Sequence, residues 1–207
     1  MQKELPIVEP ILPTVRTTAF DDPGWLFELK YDGYRGMAYL LDGKTRLRGK
    51  TTHVFQGFSA LRSALEYELH LRDSILDGEI VALDDDGAVD FSLLMRHRGH
   101  ICYFAFDLLM LNGEDLRRLP LLERKKRLRN VLPDHSETVF YVDHIVGSGK
   151  KFFELIKQRD LEGIVAKPAD SPYTKGVKWY KIRNPRYSQK EGRHEEWGEI
   201  RGGKKAG

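Results

Sequence analysis

Short turns separate the extended segments of this chain, and they restrict how those segments can pair. Asp42-Gly43 is a hairpin signal between two alternating apolar runs, residues 84–87 form a turn of three aspartates and a glycine, and Asn112-Gly113 closes an aromatic-rich strand. Strands joined by such short connections pair antiparallel, because a parallel pair needs a crossover of a dozen or more residues. The sequence therefore predicts an α+β fold built on antiparallel sheets, not a doubly wound one.

The apolar pattern assigns the elements between these turns. Strands are predicted over residues 27–29, 35–41, 44–48, 74–83, 88–91, 101–110, 140–145, 163–167 and 179–183, and helices over residues 58–69, 120–132 and 150–159. In the second helix the leucines at positions 121, 122, 128 and 132 are expected to face inward. The basic run at residues 123–127 is expected to form the solvent-exposed face of that helix.

Length and composition indicate one globular domain, residues 1–187, followed by a polar, glycine-rich tail over residues 188–207. The single cysteine, Cys102, lies in an apolar run and is expected to be a buried thiol, which favours a reducing compartment. No apolar stretch approaches the roughly 20 residues that span a bilayer. A soluble cytoplasmic protein with no membrane partner is therefore expected.

The net charge of +3 is too small to indicate a nucleic-acid partner, but the distribution of charge is uneven. From Lys175 to the end there are ten lysines and arginines against four glutamates. This basic stripe suits a phosphate-bearing partner, and it is equally compatible with an ordinary solvated face.

Two further patterns imitate binding motifs. The run Gly147-Ser148-Gly149-Lys150 is similar to part of a phosphate-binding P-loop, but His144 and Lys151 stand where that motif needs glycine and a hydroxyl residue. The aspartates at residues 84–86 lack the ligand spacing of an EF-hand calcium loop. A loop that precedes a helix and a plain turn are predicted instead.

Residues 28–35, which read Glu-Leu-Lys-Tyr-Asp-Gly-Tyr-Arg, carry the strongest chemical signal. Lys30 lies between the end of a predicted strand and a glycine turn, with Arg35 five residues further on. A lysine amine becomes a nucleophile near neutral pH when burial or neighbouring cations favour its neutral form. Arg35 would supply a cation and a planar fork for phosphate or ribose oxygens, and Gly33 a tight turn beside a ligand.

This segment resembles the K-x-D-G-x-R signature of the covalent nucleotidyltransferases, the superfamily of ATP-dependent DNA ligases, RNA ligases and mRNA capping enzymes. The resemblance implies that Lys30 attacks the α-phosphate of a nucleotide to form a lysyl-nucleotide. Five further blocks match in the family order over roughly residues 25–185, which makes the combined signal much more specific than any single block.

Two of those blocks lie in the first half of the chain. Residues 47–50, followed by Phe55 and Phe58, resemble the S-R-x-G block; Gly49 and Lys50 stand where the family has serine and arginine. Lysine keeps the positive charge but loses the bidentate fork. Residues 76–79 resemble the D-G-E block, which implies a ribose or metal contact for Glu79.

The other three blocks follow in order. Residues 104–107 resemble the block whose aromatic ring stacks on adenine; Phe106 is assigned to this role, and strand alternation is expected to turn Phe104 toward the other face of the sheet. Residues 161–167 resemble E-G-x-V-x-K, implying a metal contact for Glu162 and a phosphate or base contact for Lys167. Residues 179–183 resemble the final block, implying that Lys181 and Arg183 act together on the α-phosphate, since positions two apart share a strand face.

The resemblance implies an ATP-grasp-like nucleotidyltransferase fold with the nucleotide between two antiparallel sheets flanked by helices. Adenine is favoured because Glu28, which with Leu29 directly precedes the nucleophile, resembles the ligase residue that accepts from the adenine amino group. The matched blocks are closest to small bacterial-type DNA ligases. ATP and Mg²⁺ (or Mn²⁺) are the implied cofactors, nicked double-stranded DNA is the implied substrate, and DNA repair, recombination or replication is the implied setting.

Three other functions share parts of this pattern: an RNA ligase, a capping-type guanylyltransferase and a nucleic-acid-binding module without catalysis.

Family ligases carry a C-terminal OB-fold domain of five strands. Only 24 residues follow Arg183, so that domain is expected to be missing or supplied by a partner protein.

Overall fold

The structure is a computed structural model that describes residues 4–189. It contains eleven strands and four helices in the described part. They are β1 (Thr14–Val15), β2 (Asp21–Leu29), β3 (Tyr34–Leu41), β4 (Lys44–Arg48), α1 (Ser59–Leu69), β5 (Ser74–Leu83), α2 (Phe91–Met95), β6 (His100–Leu111), β7 (Glu114–Asp115), α3 (Leu121–Val131), β8 (Val139–Tyr141), β9 (His144–Ser148), α4 (Gly149–Gln158), β10 (Gly163–Pro168) and β11 (Tyr180–Arg183). Within residues 4–189, no helix is long and apolar enough to cross a membrane.

The strands form two sheets. The first sheet has the order β1-β11-β10-β2-β9, and the second has the order β4-β3-β5-β6-β7 with β8 added beside β6. Pairing is antiparallel as the turn signals predict, except for two short parallel pairs, β1 with β11 and β6 with β8. Both exceptions join strands far apart in the chain, where no short turn fixes the direction. The α+β prediction is confirmed.

Strand alternation divides the apolar residues among three clusters. Along β3, Ala38 and Leu40 pack into the cluster that also contains α1 residues, whereas Met37 and Tyr39 pack into a second cluster with Phe104, Phe106 and Trp179. The third cluster lies between the first sheet and α4. The first sheet is therefore packed against α4 and the second against α1.

Most predicted boundaries agree with the structure, and the differences are local. Residues 140–145 are not one strand, because β8 ends at Tyr141 and β9 begins at His144. The predicted strand at residues 88–91 is wrong, because Val89 makes only an isolated bridge to Leu83 and Phe91 begins α2. The Asp90 side chain caps that helix by accepting hydrogen bonds from the Ser92 and Leu93 amides. Leu122 is 38% exposed, so its predicted inward orientation is wrong.

The predicted solvent-exposed face of α3 is also wrong in part. Arg124 and Lys125 are 0% and 1% exposed, although Lys126 beside them is exposed. A buried charge needs a partner, and both cations have buried carboxylate partners on the sheets. The charge pattern therefore wrongly predicted that Arg124 and Lys125 are exposed to solvent.

Two other predictions concern single features. Cys102 is buried and free, as predicted, and burial together with the negative charge of Glu68 raises the pKa of its thiol to about 12. The predicted tail begins at Ser188, whose side chain and amide bond the carboxylate of Asp160. Residues 190–207 of that tail, and with them every lysine and arginine of the basic stripe beyond Arg186, lie outside the described residues.

Candidate active site

The signature peptide crosses from one sheet to the other. Lys30 follows the last residue of β2 in the first sheet, and Arg35 is the second residue of β3 in the second sheet. A Cβ atom at Gly33 would lie 2.2 Å from the carbonyl oxygen of Ile80, so only glycine fits where the crossing passes β5. The spacing of the motif thus places its lysine beside the first sheet and its arginine in the second; the region between the two sheets at this crossing is called the cleft below.

Both the backbone and the side chain of Lys30 are hydrogen-bonded at the start of β10, by Gly163 and by the preceding residue, Glu162. Its Nζ donates to Glu162 Oε2 at 2.7 Å, and its amide donates to the carbonyl of Gly163 at 2.9 Å. The Lys30 side chain remains 20% exposed and that of Glu162 6%. The Lys30 backbone is therefore anchored, its amine has a hydrogen-bond acceptor, and its side chain remains partly exposed.

Arg35 is clamped by a residue that sequence reasoning did not single out. Its Nε and Nη2 atoms each lie 2.5 Å from an oxygen of the fully buried Asp77. The hydroxyl of Tyr173 donates to Asp77 at 2.7 Å and accepts the amide of Ile11 at 3.1 Å. Despite burial, the Asp77 carboxylate keeps the pKa of Arg35 above its ordinary value. Asp77 belongs to the D-G-E block, two residues before Glu79, and that spacing was the available signal.

Glu79 lies opposite Arg35 in the β3–β5 pairing. Burial raises the pKa of its carboxyl to about 7; Glu162 and Asp77 add to this, and the cations Lys30 and Arg35 oppose it. Glu79 and Glu162 therefore repel each other, and a further cation near both carboxylates would relieve that repulsion. Among residues 4–189, no group of three or more His, Cys, Asp or Glu side chains could hold a metal by itself.

A cationic rim completes this end of the cleft. Lys181 and Arg183 lie on one side of β11, while Ile182 between them is buried on the other. Burial lowers the pKa of Lys181, and the positive charges of Arg183, Lys30 and Lys50 lower it further against the opposing effect of Glu162. The structure thus brings Lys30, Lys181 and Arg183 into one electrostatic neighbourhood, with the exposed Lys50 at its edge.

A second group of charges lies deeper, where the sheets approach α3. The two oxygens of Glu28, which is 1% exposed, take one lysine each: Lys125 Nζ at 2.6 Å and Lys167 Nζ at 2.5 Å. The Lys167 ammonium also lies 4.0 Å from the ring centroid of Phe106 and 4.2 Å from that of Trp179. Burial, as the largest cause, lowers the pKa of Lys167 to about 8. Leu29, the neighbouring candidate, is half-buried and pairs with Ile164.

Phe104 and Phe106 face the same side of the second sheet. Both rings are 9% exposed and belong to one cluster, so the prediction that Phe104 turns to the other face is wrong. The physical reason is that residues two apart along a strand share a face. Phe104 packs against Tyr31 and Phe140, whereas Phe106 adjoins the cations of Lys167 and Arg35. Their neighbours, not their faces, distinguish the two rings.

Sequence searches relate the chain to ligases. Residues 12–183 match the family model of the ATP dependent DNA ligase domain. The SPbeta prophage-derived DNA ligase-like protein LigB of Bacillus subtilis is 31% identical over 191 residues, which cover 88% of this chain and 69% of that protein. The multifunctional non-homologous end joining protein LigD of Mycolicibacterium smegmatis is 33% identical over 81% of this chain, but the match spans only 22% of LigD.

The fold of a solved ligase agrees with these sequences. A mycobacterial DNA ligase D complexed with ATP superposes with a TM-score of 0.69 at 30% identity, over 84% of this chain and 59% of that one. A two-sheet domain with the K-x-D-G-x-R motif at the crossing between the sheets is the arrangement of the ligase nucleotidyltransferase domains. Within that class, the chain belongs to the ATP-dependent DNA ligase domain family.

Proposed function

We propose that this chain is the adenylation domain of a DNA ligase that takes AMP covalently on Lys30 and passes it to a nick in DNA. The observation that carries the proposal is the position of Lys30. It lies at the junction of the two sheets, accessible, with Glu162 at 2.7 Å and with the cations of β11 beside it. A lysine needed only for packing or solubility has no use for such surroundings.

The first step forms a phosphoramidate. The Nζ lone pair of Lys30 attacks the α-phosphorus of ATP, a P–N bond forms, and the bond from the α-phosphorus to the bridging oxygen breaks, releasing pyrophosphate. The amine must lose a proton, and Glu162 Oε2 is already its hydrogen-bond acceptor. Lys181 and Arg183 are positioned to stabilise the negative charge that develops on the phosphates.

Glu79 and Glu162 fit a divalent cation, Mg²⁺ or Mn²⁺, that arrives with the nucleotide. Two carboxylates are too few for an all-protein site, and Mg²⁺ in nucleotide sites is typically held by one or two carboxylates together with substrate phosphates. Burial is the largest cause of the raised pKa of Glu79, the nearby Glu162 carboxylate adds to it, and the cations Lys30 and Arg35 oppose it, so a further cation near both carboxylates would be favourable. When bound, such an ion supplies charge neutralisation on the phosphates and orientation of the reacting groups.

The deeper charge group is the proposed base-recognition region. Glu28 offers an acceptor and Lys167 a donor, and Phe106 a ring beside them for stacking. Leu29 and Lys50 are proposed to line the ribose and phosphate path. Arg35, fixed by Asp77, is proposed to keep one edge of its guanidinium for the ribose or a phosphate.

The later steps use DNA. AMP passes from Lys30 to a 5′-phosphate, and a 3′-hydroxyl then displaces it to seal the nick. Relatives such as LigD are much longer than this chain, so we propose that an OB-fold domain or a partner protein assists DNA binding in trans. The buried free thiol of Cys102 supports a reducing, cytoplasmic setting for this work.

Label transfer tests the proposal and its rivals together. The full chain is incubated with Mg²⁺ and either ATP or GTP labelled at the α-phosphate, and then with nicked duplexes of DNA or RNA. The expected result is acid-labile labelling from ATP, chased onto nicked DNA. Preference for GTP would indicate a capping-type enzyme, preference for nicked RNA an RNA ligase, and no labelling from either nucleotide a binding module; each of these outcomes overturns the proposal.

A further inference from the structure

Helix α3 carries a buried lysine, Lys125, whose N–H donors all have protein acceptors. Lys125 Nζ donates to Glu28 Oε1 at 2.6 Å, to the carbonyl of Val142 at 3.0 Å and to the carbonyl of Phe106 at 3.3 Å. An ammonium has three N–H donors, so all three are used by protein acceptors. Although burial opposes its charge, Glu28 holds the pKa of Lys125 above the ordinary value. Lys125 is a fixed cation with no donor left for a ligand.

Lys167 binds the same carboxylate, but its other neighbours are aromatic rings and not hydrogen-bond acceptors. It contacts the other oxygen, Glu28 Oε2, and the remainder of its ammonium faces the rings of Phe106 and Trp179. Aromatic faces attract a cation but do not replace hydrogen-bond acceptors. Lys167 therefore retains donors that a nucleobase nitrogen can accept, whereas Lys125 does not.

The acceptors of Lys125 come from separate parts of the fold. Glu28 belongs to β2 of the first sheet, Phe106 to β6 of the second, and Val142 to the connection between β8 and β9. One ammonium thus ties the carboxylate of one sheet to the backbone of the other. A displacement of Glu28 relative to Phe106 would break at least one of these bonds.

We propose that Lys125 is a positioning residue for nucleotide recognition, which fixes Glu28 Oε1 so that Glu28 Oε2 and Lys167 Nζ present one acceptor and one donor to the base. This arrangement complements adenine, whose amino group is a donor next to a ring-nitrogen acceptor. Guanine presents the reverse pattern, a carbonyl acceptor next to an N–H donor. The inference rests on the proposed function, because it concerns the base of the nucleotide that Lys30 attacks.

Helix α3 also provides the contrast needed to test this role. Arg124, the preceding residue, is equally buried, but its hydrogen-bond acceptors are Asp107 and the carbonyls of Leu119 and Ser171, and Glu28 is not among them. Lys126, the following residue, is exposed. A purely structural role would make Lys125 behave like Arg124, and no role would make it behave like Lys126.

The experiment measures lysyl-nucleotide formation by the full chain from ATP and from GTP, with the melting temperature recorded for each variant. Lys125→Met is compared with Lys126→Met, and a cycle with Glu28→Gln is added; the double variant removes the unpaired carboxylate that could prevent Lys125→Met from folding. We expect Lys125→Met to raise KM for ATP about tenfold to hundredfold, the scale of a lost charged hydrogen bond, and to reduce the preference for ATP over GTP. In the Glu28→Gln background the same change should have little further effect on KM.

Each outcome decides the question. If Lys125→Met lowers the melting temperature but leaves KM and nucleotide preference at the Lys126→Met values, Lys125 is structural and the inference is overturned. Additive effects of Lys125→Met and Glu28→Gln on KM would also overturn it, because Lys125 would then not act through Glu28. Failure of the unsubstituted protein to form any lysyl-nucleotide would contradict the proposed function itself, a result separate from both.

Discussion

The two lysine–glutamate pairs of the cleft are chemically alike but differ in what surrounds them. Lys30 and Glu162 are 2.7 Å apart, and Lys125 and Glu28 are 2.6 Å apart. The Lys30 side chain is 20% exposed at the crossing between the sheets, whereas that of Lys125 is 1% exposed and has three protein acceptors. The same ion pair can therefore prepare a reactive amine at one end of a cleft and immobilise a carboxylate at the other.

The burial of the lysine, and whether all of its N–H donors have protein acceptors, decide between these roles. A partly exposed amine with spare donors can exchange its partner for a substrate, but a buried one leaves an unpaired charge behind if it moves. The accessible end of the cleft should consequently respond to substitution through reaction rate, and the buried end through stability or nucleotide preference. The following predictions test that division.

The largest effect on stability is expected from Arg124→Met at the buried end. The substitution leaves Asp107, which is 0% exposed, without its bidentate partner. Breaking a buried ion pair by removing one partner typically costs about 3–5 kcal/mol. Urea denaturation should show this loss of unfolding free energy, with Lys126→Met unchanged as the control; a loss below about 1 kcal/mol would remove the distinction between the two ends.

Glu162→Ala should act on the reaction more than on the fold. Its carboxylate accepts from Lys30, and its proposed second partner is the divalent cation. Adenylation should slow about tenfold to hundredfold, the scale of a lost charged hydrogen bond. Asp85→Ala, in an exposed turn, is the control. Equal adenylation rates for the two variants across a Mg²⁺ titration would contradict the assigned role of Glu162.

Phe106→Leu and Phe104→Leu separate two rings that share a face. Only Phe106 adjoins the ammonium of Lys167, at 4.0 Å, so only its replacement should weaken ATP binding. The expected loss is about 1–3 kcal/mol, the scale of a base–aromatic stack. Calorimetric titration of both variants with ATP measures it, and equal affinities would assign both rings to the apolar core alone.

The smallest effect is expected from Glu79→Gln, which is an exception at the accessible end because burial of its carboxyl gives it an effect on stability that depends on pH. The folded-state pKa of Glu79 is raised from 4.5 to about 7, so the folded protein holds this proton more tightly than the unfolded chain. The stabilisation of the folded state by this bound proton is fully present below pH 4.5 and is lost as pH rises through about 7. At pH 8 Glu79→Gln should therefore be more stable than the unsubstituted protein, by about 1–2 kcal/mol after allowance for solvent screening.

Denaturation at pH 4 and pH 8 measures this difference. The advantage of Glu79→Gln should vanish at pH 4, where both side chains are neutral. An advantage of equal size at both pH values would show that the carboxylate charge is not its cause.

The sequence predicted the accessible end of the cleft much better than the buried end. The resemblance to the family blocks singled out Lys30, Glu79 and Glu162, and the structure brings Lys30 and Glu162 into contact and Glu79 into their electrostatic neighbourhood. The hairpin turns likewise predicted the antiparallel pairings, since a two-residue turn permits no other direction.

The buried end could not be predicted in the same way. Arg124 and Lys125 lie in a run of five charged residues, and helical periodicity assigns charged residues to solvent unless their partners are known. Those partners, Asp107 and Glu28, lie 17 and 97 residues away in sequence. Asp77 was missed although it belongs to the D-G-E block, because its partners Arg35 and Tyr173 lie 42 and 96 residues away in sequence. Long-range pairing of buried charges leaves no local pattern.

Covalent attachment of AMP to Lys30 can be read from the intact mass of the full chain after incubation with ATP and Mg²⁺. We expect a single population heavier by one AMP, reversed by added pyrophosphate and absent in Lys30→Arg, because arginine stays protonated and cannot attack. A mass that does not change with ATP, or an AMP adduct that persists in Lys30→Arg, would contradict this expectation.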